Sequence, residues 1–429
     1  MQVKGLPGFR DFYPADIALL HHIFAAWRAV SARYGFEEYD GPPLEPLDLY
    51  TRKSGEEIVE QLYHFDDKGG RSVALRPEMT PTLARMVAAK ASDFKKPIRW
   101  YSIPHLFRYE RQQRGRLREH FQLNMDLIGE SGPLADAEVI AAAIDIMREL
   151  GLGADAVRVR LSDRQMMRAL LLAAGLDESQ LAVAYTTIDK IEREDRGKAA
   201  ERLKTAGITG PGVDRVFDIG SIRGLEDALA ALGKVRGGEE VAENIAACHA
   251  ALCRMGLGDF LEVDLSIVRG LAYYTGIVYE LFDANRSLRA ICGGGRYDGL
   301  LKALGGVDLP ATGFGMGDVV ITELLRDHSI VPDAGGRLDA FVVAVTTADV
   351  PEVLRLSHAL RDRGVRVEYA LKAQAVAKQL KIASARQAKT AVIIGPDERE
   401  AGEVMLRNLG TGTEERIAVD KLVTEYVWV

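Results

Sequence analysis

The sequence is poor in cysteine and contains no long apolar run. Its 429 residues include only Cys248, Cys253 and Cys292, too few for a disulfide framework and typical of a reducing compartment. No window approaches the roughly 18 consecutive apolar residues of a membrane span, and the opening residues, MQVKGLPGFRDFYP, lack the apolar core of a signal peptide. We therefore expect a cytoplasmic protein with no membrane segment.

The short segment that joins Cys248-His249 to Cys253 is a weak candidate for a metal site. Structural zinc takes four ligands with paired spacings, and this segment offers three within a helical pattern. A small apolar helix face is the simpler interpretation. We expect no metal to be held by protein ligands alone.

The overall charge is negative, but basic residues are locally concentrated. Charged residues make up 27% of the chain and apolar residues 47%, and the formal net charge is −7. This composition is that of an ordinary globular protein, and the length predicts two to four domains. The negative charge argues against wholesale coating by nucleic acid, whereas local basic patches remain compatible with binding it.

Strand-rich and helical segments alternate along the chain. Residues 1–163 and 255–330 read as strand-rich, and residues 164–254 as helical, Ala-rich and heavily charged, like an insertion into one domain. After the insertion, strands are expected from Leu261 to Val268 and from Gly276 to Phe282. Residues 331–338 read as a linker. Residues 339–429 follow a β-α-β-α-β order, which predicts a small α/β domain with a mostly parallel sheet.

An arginine-rich stretch, RYERQQRGRLREH (108–120), holds five arginines and two glutamates. It lies between two predicted strands, Arg99 to Phe107 and His120 to Ile128. The second strand alternates strictly, which predicts an antiparallel strand with one face on the core. Its polar face carries His120, Gln122, Asn124 and Asp126. Its apolar face carries Phe121, Leu123, Met125 and Leu127.

The polar face of that strand predicts a lined cleft, with a solvated hairpin tip as the alternative. Arg108 is expected within the first strand, and Arg118 is expected to join the polar face of the second. The planar fork of arginine suits phosphate groups, and a carboxylate suits an amino group. The pattern favours a site that holds a polyphosphate such as ATP at one end and an amine at the other.

Several glycine-rich segments could line a ligand. RGLAYYTGIVYE, which begins at Arg269, and CGGGRYDGL, which begins at Cys292, contain glycines that permit close backbone approach. The paired Tyr273 and Tyr274 could equally be core residues. GFGMG (313–317) lacks the full spacing of a dinucleotide-binding loop, so we expect no nicotinamide or flavin site.

These stretches together resemble the histidyl-tRNA synthetases, a family of class II aminoacyl-tRNA synthetases. FRYERQQRGRLREHFQ resembles motif 2 of the class; GLPGFRDFYP with the following helix resembles motif 1, and ATGFGMGDVV resembles motif 3. RPEMTP, RGLAYYTGIVYE and GGGRYDGL resemble signatures peculiar to the family. KQLKIASARQAKTAVIIGPDE resembles its anticodon-binding domain, so the similarity spans nearly the whole chain.

The resemblance implies a fold, a reaction and partners. The fold is α+β: an antiparallel sheet flanked by helices, a helical insertion, and a C-terminal α/β anticodon-binding domain. The reaction joins L-histidine to its tRNA through a histidyl-adenylate formed from ATP. Magnesium would bind mainly through the ATP phosphates, and the chain would form a homodimer through motif 1.

The resemblance also implies the site residues. Catalysis would depend on Arg108 and Arg269, on opposite sides of the α-phosphate. Histidine would be bound by Glu78, Met79, Thr80, Arg108, Gln122, Asp126, Arg269, Tyr273 and Tyr274. ATP would be bound by Arg108, Glu110, Arg116, His120, Gln122 and Arg269. The tRNA would be contacted by Arg111, Gln113, Arg114, Lys372, Lys378 and Lys381.

The chain departs from the family pattern at two places. Motif 3 usually ends in Gly-x-Glu-Arg, but the corresponding residues here are Gly317-Asp318-Val319-Val320. The motif 3 arginine is therefore missing, and Arg326 is too far along the predicted helix, and on the wrong face, to replace it. The aromatic residue that usually stacks on adenine corresponds to His120; strand parity places Phe121 on the core side.

One alternative function fits the same resemblance. The regulatory subunit of ATP phosphoribosyltransferase is related to these synthetases and binds histidine without aminoacylation. It typically lacks the C-terminal tRNA domain and the catalytic arginine region, both of which are present here. The missing motif 3 arginine is the one feature that favours it.

Overall fold

The computed structural model describes residues 4–54, 56–110, 113–268, 274–330 and 338–428. The backbone divides into two compact units, residues 1–331 and 332–429. Each unit has a hydrophobic core of its own.

The first unit alternates between helices and strands along the chain. Its helices are α1 (Pro14–Arg33), α2 (Asp48–Ser54), α3 (Thr80–Ala89), α4 (Pro133–Glu149), α5 (Arg164–Ala173), α6 (Leu181–Asp189), α7 (Arg196–Thr205), α8 (Gly210–Gly220), α9 (Leu225–Leu232), α10 (Gly238–Arg254), α11 (Leu300–Gly305) and α12 (Asp318–Asp327). Its strands are β1 (Glu37–Glu38), β2 (Leu44–Pro46), β3 (His64–Asp66), β4 (Ser72–Leu75), β5 (Ile98–Ser102), β6 (His105–Phe107), β7 (Glu119–Ile128), β8 (Val157–Asp163), β9 (Leu261–Val263), β10 (Ile277–Asp283), β11 (Cys292–Arg296) and β12 (Ala311–Gly317).

A large, mostly antiparallel sheet forms the centre of this unit. Its strand order is β1-β5-β7-β12-β11-β10-β8-β9, and β6 pairs with β7. The only parallel pairs among the described strands of this sheet are β1 with β5 and β8 with β9. The predicted antiparallel sheet flanked by helices is confirmed.

One face of the sheet is covered by helices α1, α4 and α12. Trp27 and Val30 of α1 are fully buried in the same core as Leu123 and Met125 of β7. The apolar residues of α1 recur about every 3.6 positions, so they form one stripe that packs on the sheet. Proline at the first position starts this helix, and Gly35, with a φ of +70°, follows its end.

Two predicted strands are wrong in extent. The strand expected from Arg99 to Phe107 is divided into β5 and β6, which are separated at Pro104, a residue that has no backbone N–H to donate. Arg108 follows β6 rather than lying within it. The strand expected to reach Val268 ends at Val263, because the carboxylate of Asp264 accepts hydrogen bonds from the backbone and hydroxyl of Ser266 and forms a turn.

Six helices, α5 to α10, occupy residues 164–254. Their buried side chains, such as Leu171, Val216 and Cys248, belong to the same core cluster as the sheet. Cys248 is buried on α10, whereas Cys253 is exposed with its sulfur 3.6 Å from Nδ1 of His249. Among the residues described, no group of three or more His, Cys, Asp or Glu side chains could hold a metal ion.

The second unit is a five-stranded sheet with helices. Its strands are β13 (Ala340–Ala344), β14 (Val367–Tyr369), β15 (Thr390–Ile394), β16 (Glu403–Asn408) and β17 (Glu414–Ala418), and its helices are α13 (Val350–Asp362), α14 (Val376–Ala385), α15 (Pro396–Ala401) and α16 (Val419–Thr424). The order is β14-β13-β15-β16-β17; the first three strands are parallel and the last two antiparallel. In neither unit is a described helix both long and apolar enough to cross a membrane.

A buried ion pair joins the start of α4 to β11 and should contribute strongly to stability. Arg296 Nη2 lies 2.7 Å from Asp136 Oδ2, and both side chains are almost completely buried. Asp136→Asn would leave the buried guanidinium without its main counter-charge, so we expect the free energy of unfolding to fall by about 3–5 kcal/mol. Urea denaturation followed by the fluorescence of Trp27 and Trp100 measures this.

The matched control for that prediction is an exposed ion pair of the same length. Lys302 Nζ lies 2.7 Å from Asp308 Oδ2, with side chains 64% and 70% exposed. Asp308→Asn should cost about 0–1 kcal/mol. Equal losses in the two variants would contradict the prediction.

Candidate active site

A cleft of about 1000 Å³ opens on the face of the sheet opposite α1 and α4. Its floor includes Gln122 of β7, Gly315 of β12, Gly293 of β11 and Glu280 of β10. Seven arginines and four carboxylates of the described residues line it. This excess of positive charge makes the cleft suited to an anion, although the whole chain is acidic.

Glycine residues on β12 create the room above β7. Gly313 pairs with Asp126, Gly315 with Asn124 and Gly317 with Gln122 in the antiparallel register. A Cβ at Gly313 would overlap the Asp126 carboxylate, and one at Gly315 would overlap the Gln122 amide. The segment GFGMG is therefore a strand whose glycines face the polar side chains of β7.

The polar face of β7 is connected by hydrogen bonds. The Gln122 amide nitrogen donates to Asn124 Oδ1 at 2.9 Å, and Gln122 Oε1 lies 3.4 Å from Nε2 of His120. Further along, Asp126 accepts a hydrogen bond from the hydroxyl of Tyr297. Burial raises the pKa of Asp126 to about 7 despite that hydrogen bond. Among the described residues, no cationic side chain forms an ion pair with this carboxylate.

The predicted alternation along β7 is confirmed. His120 and Gln122 line the cleft, whereas Leu123, Met125 and Leu127 are buried in the core. Phe121 packs on the other side, stacked on the ring of His105 at 4.3 Å. Contact between His120 and adenine stays a prediction.

Arg108 joins the cleft to the segment RPEMTP. Its Nε donates to the carbonyl of Pro77 at 2.8 Å, and its backbone N–H donates to the carbonyl of Arg118. These bonds fix the guanidinium beside His120, where burial and then the charge of Arg108 lower the pKa of the imidazole to about 3. His120 is therefore neutral at physiological pH.

Arg118 does not join this polar face, contrary to expectation. Its guanidinium lies over the ring of Tyr109, with the carbon 4.2 Å from the ring centroid, and its Nε donates to the carbonyl of Glu110. The side chain therefore packs beside the cleft and does not line it.

The arginine-rich loop ends in a tight turn. Gln113 and Arg116 exchange backbone hydrogen bonds, and Gly115 between them has a φ of +74°, which favours glycine. Arg116 pairs with both carboxylate oxygens of Glu110. The turn thus presents Arg116 and Glu110, both predicted ATP ligands, to the cleft.

The structure separates several predicted histidine ligands from this cleft, although Arg108 and Gln122 line it. Glu78 and Thr80 lie at the start of α3, and Met79 between them is fully buried, its sulfur 3.9 Å from Nη1 of Arg76. Neither this segment nor Asp126 nor Tyr274 lines the 1000 Å³ cleft. Asp126 instead lies among tyrosines: it is hydrogen-bonded to Tyr297, and burial, followed by the charge of Asp126, raises the pKa of Tyr39.

Three predicted site residues lie outside the described residues. They are Arg269, Tyr273 and Arg111. The convergence of Arg108 and Arg269 on one phosphate therefore stays a prediction.

The predicted tRNA ligands occupy two surfaces. Arg114 pairs with Glu323 and Asp327 of α12, at 3.3 and 3.4 Å, and Gln113 accepts a hydrogen bond from Arg289. In the second unit, the exposed Lys378 and Lys381 lie on α14, and the exposed Lys372 precedes it.

Several residues that line the cleft are not indicated by any sequence motif. Arg160 on β8, Arg193 after α6, and Arg286 and Arg289 between β10 and β11 all line the cleft. Arg160 and Arg286 share Glu192 as a partner. They come from three separate segments without a motif, so only the pairing of the strands brings them together.

The residue that follows Gly317 has a structural use. Asp318 is fully buried; it accepts from Arg10 Nη1 at 2.7 Å and from the backbone N–H of Phe121 at 2.9 Å. Arg10 also donates to Glu119, which pairs with His105. Burial raises the pKa of Glu119, but the bonds to His105 and Arg10 outweigh it, and the pKa falls to about 2.

The chain matches known proteins over nearly its whole length. A family model described as "Histidyl-tRNA synthetase" matches residues 8–318, and one described as "Anticodon binding domain" matches residues 339–427. A relative from Opitutus terrae, named histidine–tRNA ligase, is 46% identical over 96% of this chain and 95% of its own. The chain belongs to the histidyl-tRNA synthetase family. Its activity is accordingly that of a histidine–tRNA ligase, and such a ligase uses histidine, ATP and tRNA(His).

Solved structures share the fold of these synthetases with this chain. The histidyl-tRNA synthetase from Nostoc sp. has a TM-score of 0.85 at 24% identity and covers 99% of both chains. A Bacillus halodurans protein titled "ATP phosphoribosyltransferase regulatory subunit/histidyl-tRNA synthetase" has a TM-score of 0.76 at 23% identity, covering 92% of this chain and 99% of its own. Both similarities concern the fold and therefore do not separate the ligase from its regulatory relative.

The lowered pKa of His120 predicts an imidazole that does not titrate near neutrality. We expect its ring signals in histidine-labelled protein, assigned with His120→Gln, to show no protonation between pH 5 and 8, because burial and Arg108 disfavour the cation. NMR titration measures this, with a histidine-containing peptide in the same buffer as the control. A protonation midpoint within that window would contradict the prediction.

Proposed function

We propose that this chain ligates L-histidine to its cognate tRNA through a histidyl-adenylate made in the cleft above β7. One observation carries the proposal: His120, Gln122 and Asp126 lie on one face of a single strand. His120 and Gln122 line a cleft rich in arginine, and the carboxylate of Asp126 is buried further along the same face. A polyphosphate and an amine could thus be bound along the same strand.

Adenylation requires a carboxylate to attack the α-phosphate of ATP. The carboxylate oxygen of histidine forms a bond to phosphorus while the bond to the β-phosphate oxygen breaks, and pyrophosphate leaves with that electron pair. Negative charge grows on the non-bridging oxygens, so Arg108 and Arg269 on either side would stabilise the transition state more than the ground state. No enzyme nucleophile is needed, because binding orients the two reactants.

The fixed position of Arg108 supports its place in this step. Its Nε is held by the Pro77 carbonyl, which leaves the terminal nitrogens for a phosphate or for the carboxylate of histidine. Arg116 would reach the outer phosphates, with Glu110 holding it in the meantime. His120, neutral and facing the cleft, would lie against adenine.

The histidine end is proposed to use Asp126 with Glu78, Thr80 and Gln122. The ammonium group of histidine would give the buried Asp126 a cationic partner in a charge-assisted hydrogen bond. Tyr273 and Tyr274 would contact the imidazole. A hydroxyl left without a partner by a wrong amino acid would cost about 1–3 kcal/mol, which is selectivity without editing.

The remaining partners extend the same proposal. Magnesium would arrive with ATP and be held mainly by its outer phosphates, where it neutralises charge. Exposed Lys372, Lys378 and Lys381 would contact tRNA phosphates, and Arg111, Gln113 and Arg114 would face the acceptor end. We further propose a cytoplasmic homodimer formed through motif 1, and the domain boundaries 1–163, 164–254, 255–330, 331–338 and 339–429.

Histidine-dependent exchange of pyrophosphate into ATP tests whether the protein forms histidyl-adenylate and whether Arg108 is catalytic in that step. Arg108→Gln should lower the exchange rate about 100-fold or more, since one preorganised donor to developing charge is worth about 10²–10³ in rate. The control is Arg118→Gln, which removes a nearby guanidinium that lies on Tyr109; its rate should stay within about fivefold.

Two outcomes would count against the proposal. If the unaltered protein binds histidine but catalyses no exchange, it is the regulatory relative and not a ligase. If Arg108→Gln exchanges as fast as Arg118→Gln, the activity stands but the mechanism is wrong.

The raised pKa of Asp126 predicts pH-dependent histidine binding. The free protein holds a proton on this group up to about pH 7, whereas the unfolded chain releases it near pH 4, so ionisation through this window disfavours the fold. An ammonium ligand needs the ionised carboxylate of Asp126. At one pH unit below the pKa, only about a tenth of the Asp126 side chains are ionised. We expect histidine affinity to fall about tenfold from pH 8 to pH 6.

Calorimetry at several pH values measures this dependence. Asp126→Asn is the control: it cannot ionise, so it should retain only the pH dependence of histidine itself. The same slope in both proteins would exclude Asp126 as the ammonium ligand.

A further inference from the structure

Arg289 stands at the cleft in a position that no sequence motif indicates. It lies in the connection between β10 and β11, and its Nη2 donates to Gln113 Oε1 at 2.7 Å. A Cβ on Gly115 would be 3.9 Å from Cδ of Arg289 and 3.4 Å from Cγ2 of Val320. The stem of Arg289 therefore passes close to the turn at Gly115, beside Val320.

The neighbouring cleft arginines are tied to carboxylates. Arg160 and Arg286 pair with Glu192 and Glu262, Arg114 pairs with residues of α12, and Arg116 pairs with Glu110. Arg289 differs, because within the described part of the chain its guanidinium is hydrogen-bonded to a neutral amide and forms no ion pair with a carboxylate. Its charge is available to an anion.

The electrostatic setting of Arg289 also favours an anionic ligand. Burial and then repulsion from Arg116 lower the pKa of Arg289, while Glu110 acts in the opposite direction. Arg116 and Arg193 thus repel Arg289 within the cleft that all three line. An anion between Arg116 and Arg289 would relieve this repulsion and gain charge-assisted hydrogen bonds from both.

At the start of α12, a triphosphate in this cleft would lack one cation that the family pattern supplies, the arginine of motif 3. Val319 and Val320 line the cleft where the motif 3 arginine would stand, and Arg326 instead pairs with Asp16 of α1, at 3.3 Å. The small side chain of Val320 leaves room for the stem of Arg289.

We propose that Arg289 binds the outer phosphates of ATP, and the pyrophosphate that leaves, in place of the missing motif 3 arginine. This rests on the proposed function, since it assumes that ATP lies in the cleft. Arg289 and Arg116 would hold the leaving group from two sides, while Arg108 acts at the α-phosphate.

Arg289→Gln tests the proposal, with Arg326→Gln as the matched control on the far side of α12. Pyrophosphate binding is measured by calorimetry without turnover, and the KM for ATP by exchange. We expect Arg289→Gln to weaken pyrophosphate binding about tenfold or more and to raise the KM for ATP similarly, since a hydrogen bond to a charged group is lost. Inhibition by AMP and the affinity for histidine should change less than about twofold. Arg289→Lys keeps the charge but not the forked guanidinium, so its pyrophosphate affinity and its KM for ATP should lie between those of the unaltered protein and Arg289→Gln.

Each result decides the matter. The proposal would be overturned if Arg289→Gln bound pyrophosphate as tightly as Arg326→Gln does. It would also be overturned if Arg289→Gln lost as much affinity for AMP and histidine as for pyrophosphate, which would indicate a disturbed fold. Because pyrophosphate binding needs no catalysis, it tests Arg289 even in a protein that fails the exchange assay; failure of the proposed function is thereby distinguished from failure of this inference.

Discussion

The cleft depends on the pairing of β7 with β12, in which a glycine stands opposite each of Gln122, Asn124 and Asp126. Gly313 and Gly315 leave the space that Asp126 and Gln122 occupy, and any Cβ there would overlap them. The opposite face of the same two strands is apolar and buried against α1 and α4. Since a shift of one residue would exchange the two faces, the core and the cleft impose the same register, and the ligand-facing groups are held by the packing of the whole sheet.

The arginines of the cleft fall into two groups, which explains how an acidic protein concentrates positive charge. Arg160 and Arg286 are neutralised by carboxylates of neighbouring segments and hold the walls together. Arg108 and Arg289 are fixed by uncharged oxygen atoms and keep their charge for a ligand. Donors that are positioned before the ligand arrives need little reorganisation when charge develops, so the neutral anchors matter as much as the arginines themselves.

How much the sequence could predict depended on the range of the interactions involved. β7 was predictable because strict alternation over nine residues is a local pattern, and the motifs around Arg108 and Glu78 carried the resemblance to a known family. The break at Pro104 and the turn at Asp264 are harder to predict, because each depends on one side chain or one missing N–H. The position of Arg289 at the cleft could not be predicted from the sequence. It arises because the β10–β11 connection folds against the turn at Gly115, and no residue near Arg289 in the sequence indicates that contact.

The start of α12 shows why a lost motif residue need not mean lost function. Asp318 is buried and forms an ion pair with Arg10. Its charge is therefore balanced by a residue of the N-terminal segment and does not repel a phosphate. The valines that follow it make an apolar wall, next to which electrostatic attraction is strengthened by the lower local dielectric. A guanidinium that enters from another strand connection, beside Val320, would on our proposal bind the same phosphates. On the proposed function, the phosphates require a positive charge at that place in the cleft, and a residue at a different sequence position can supply it.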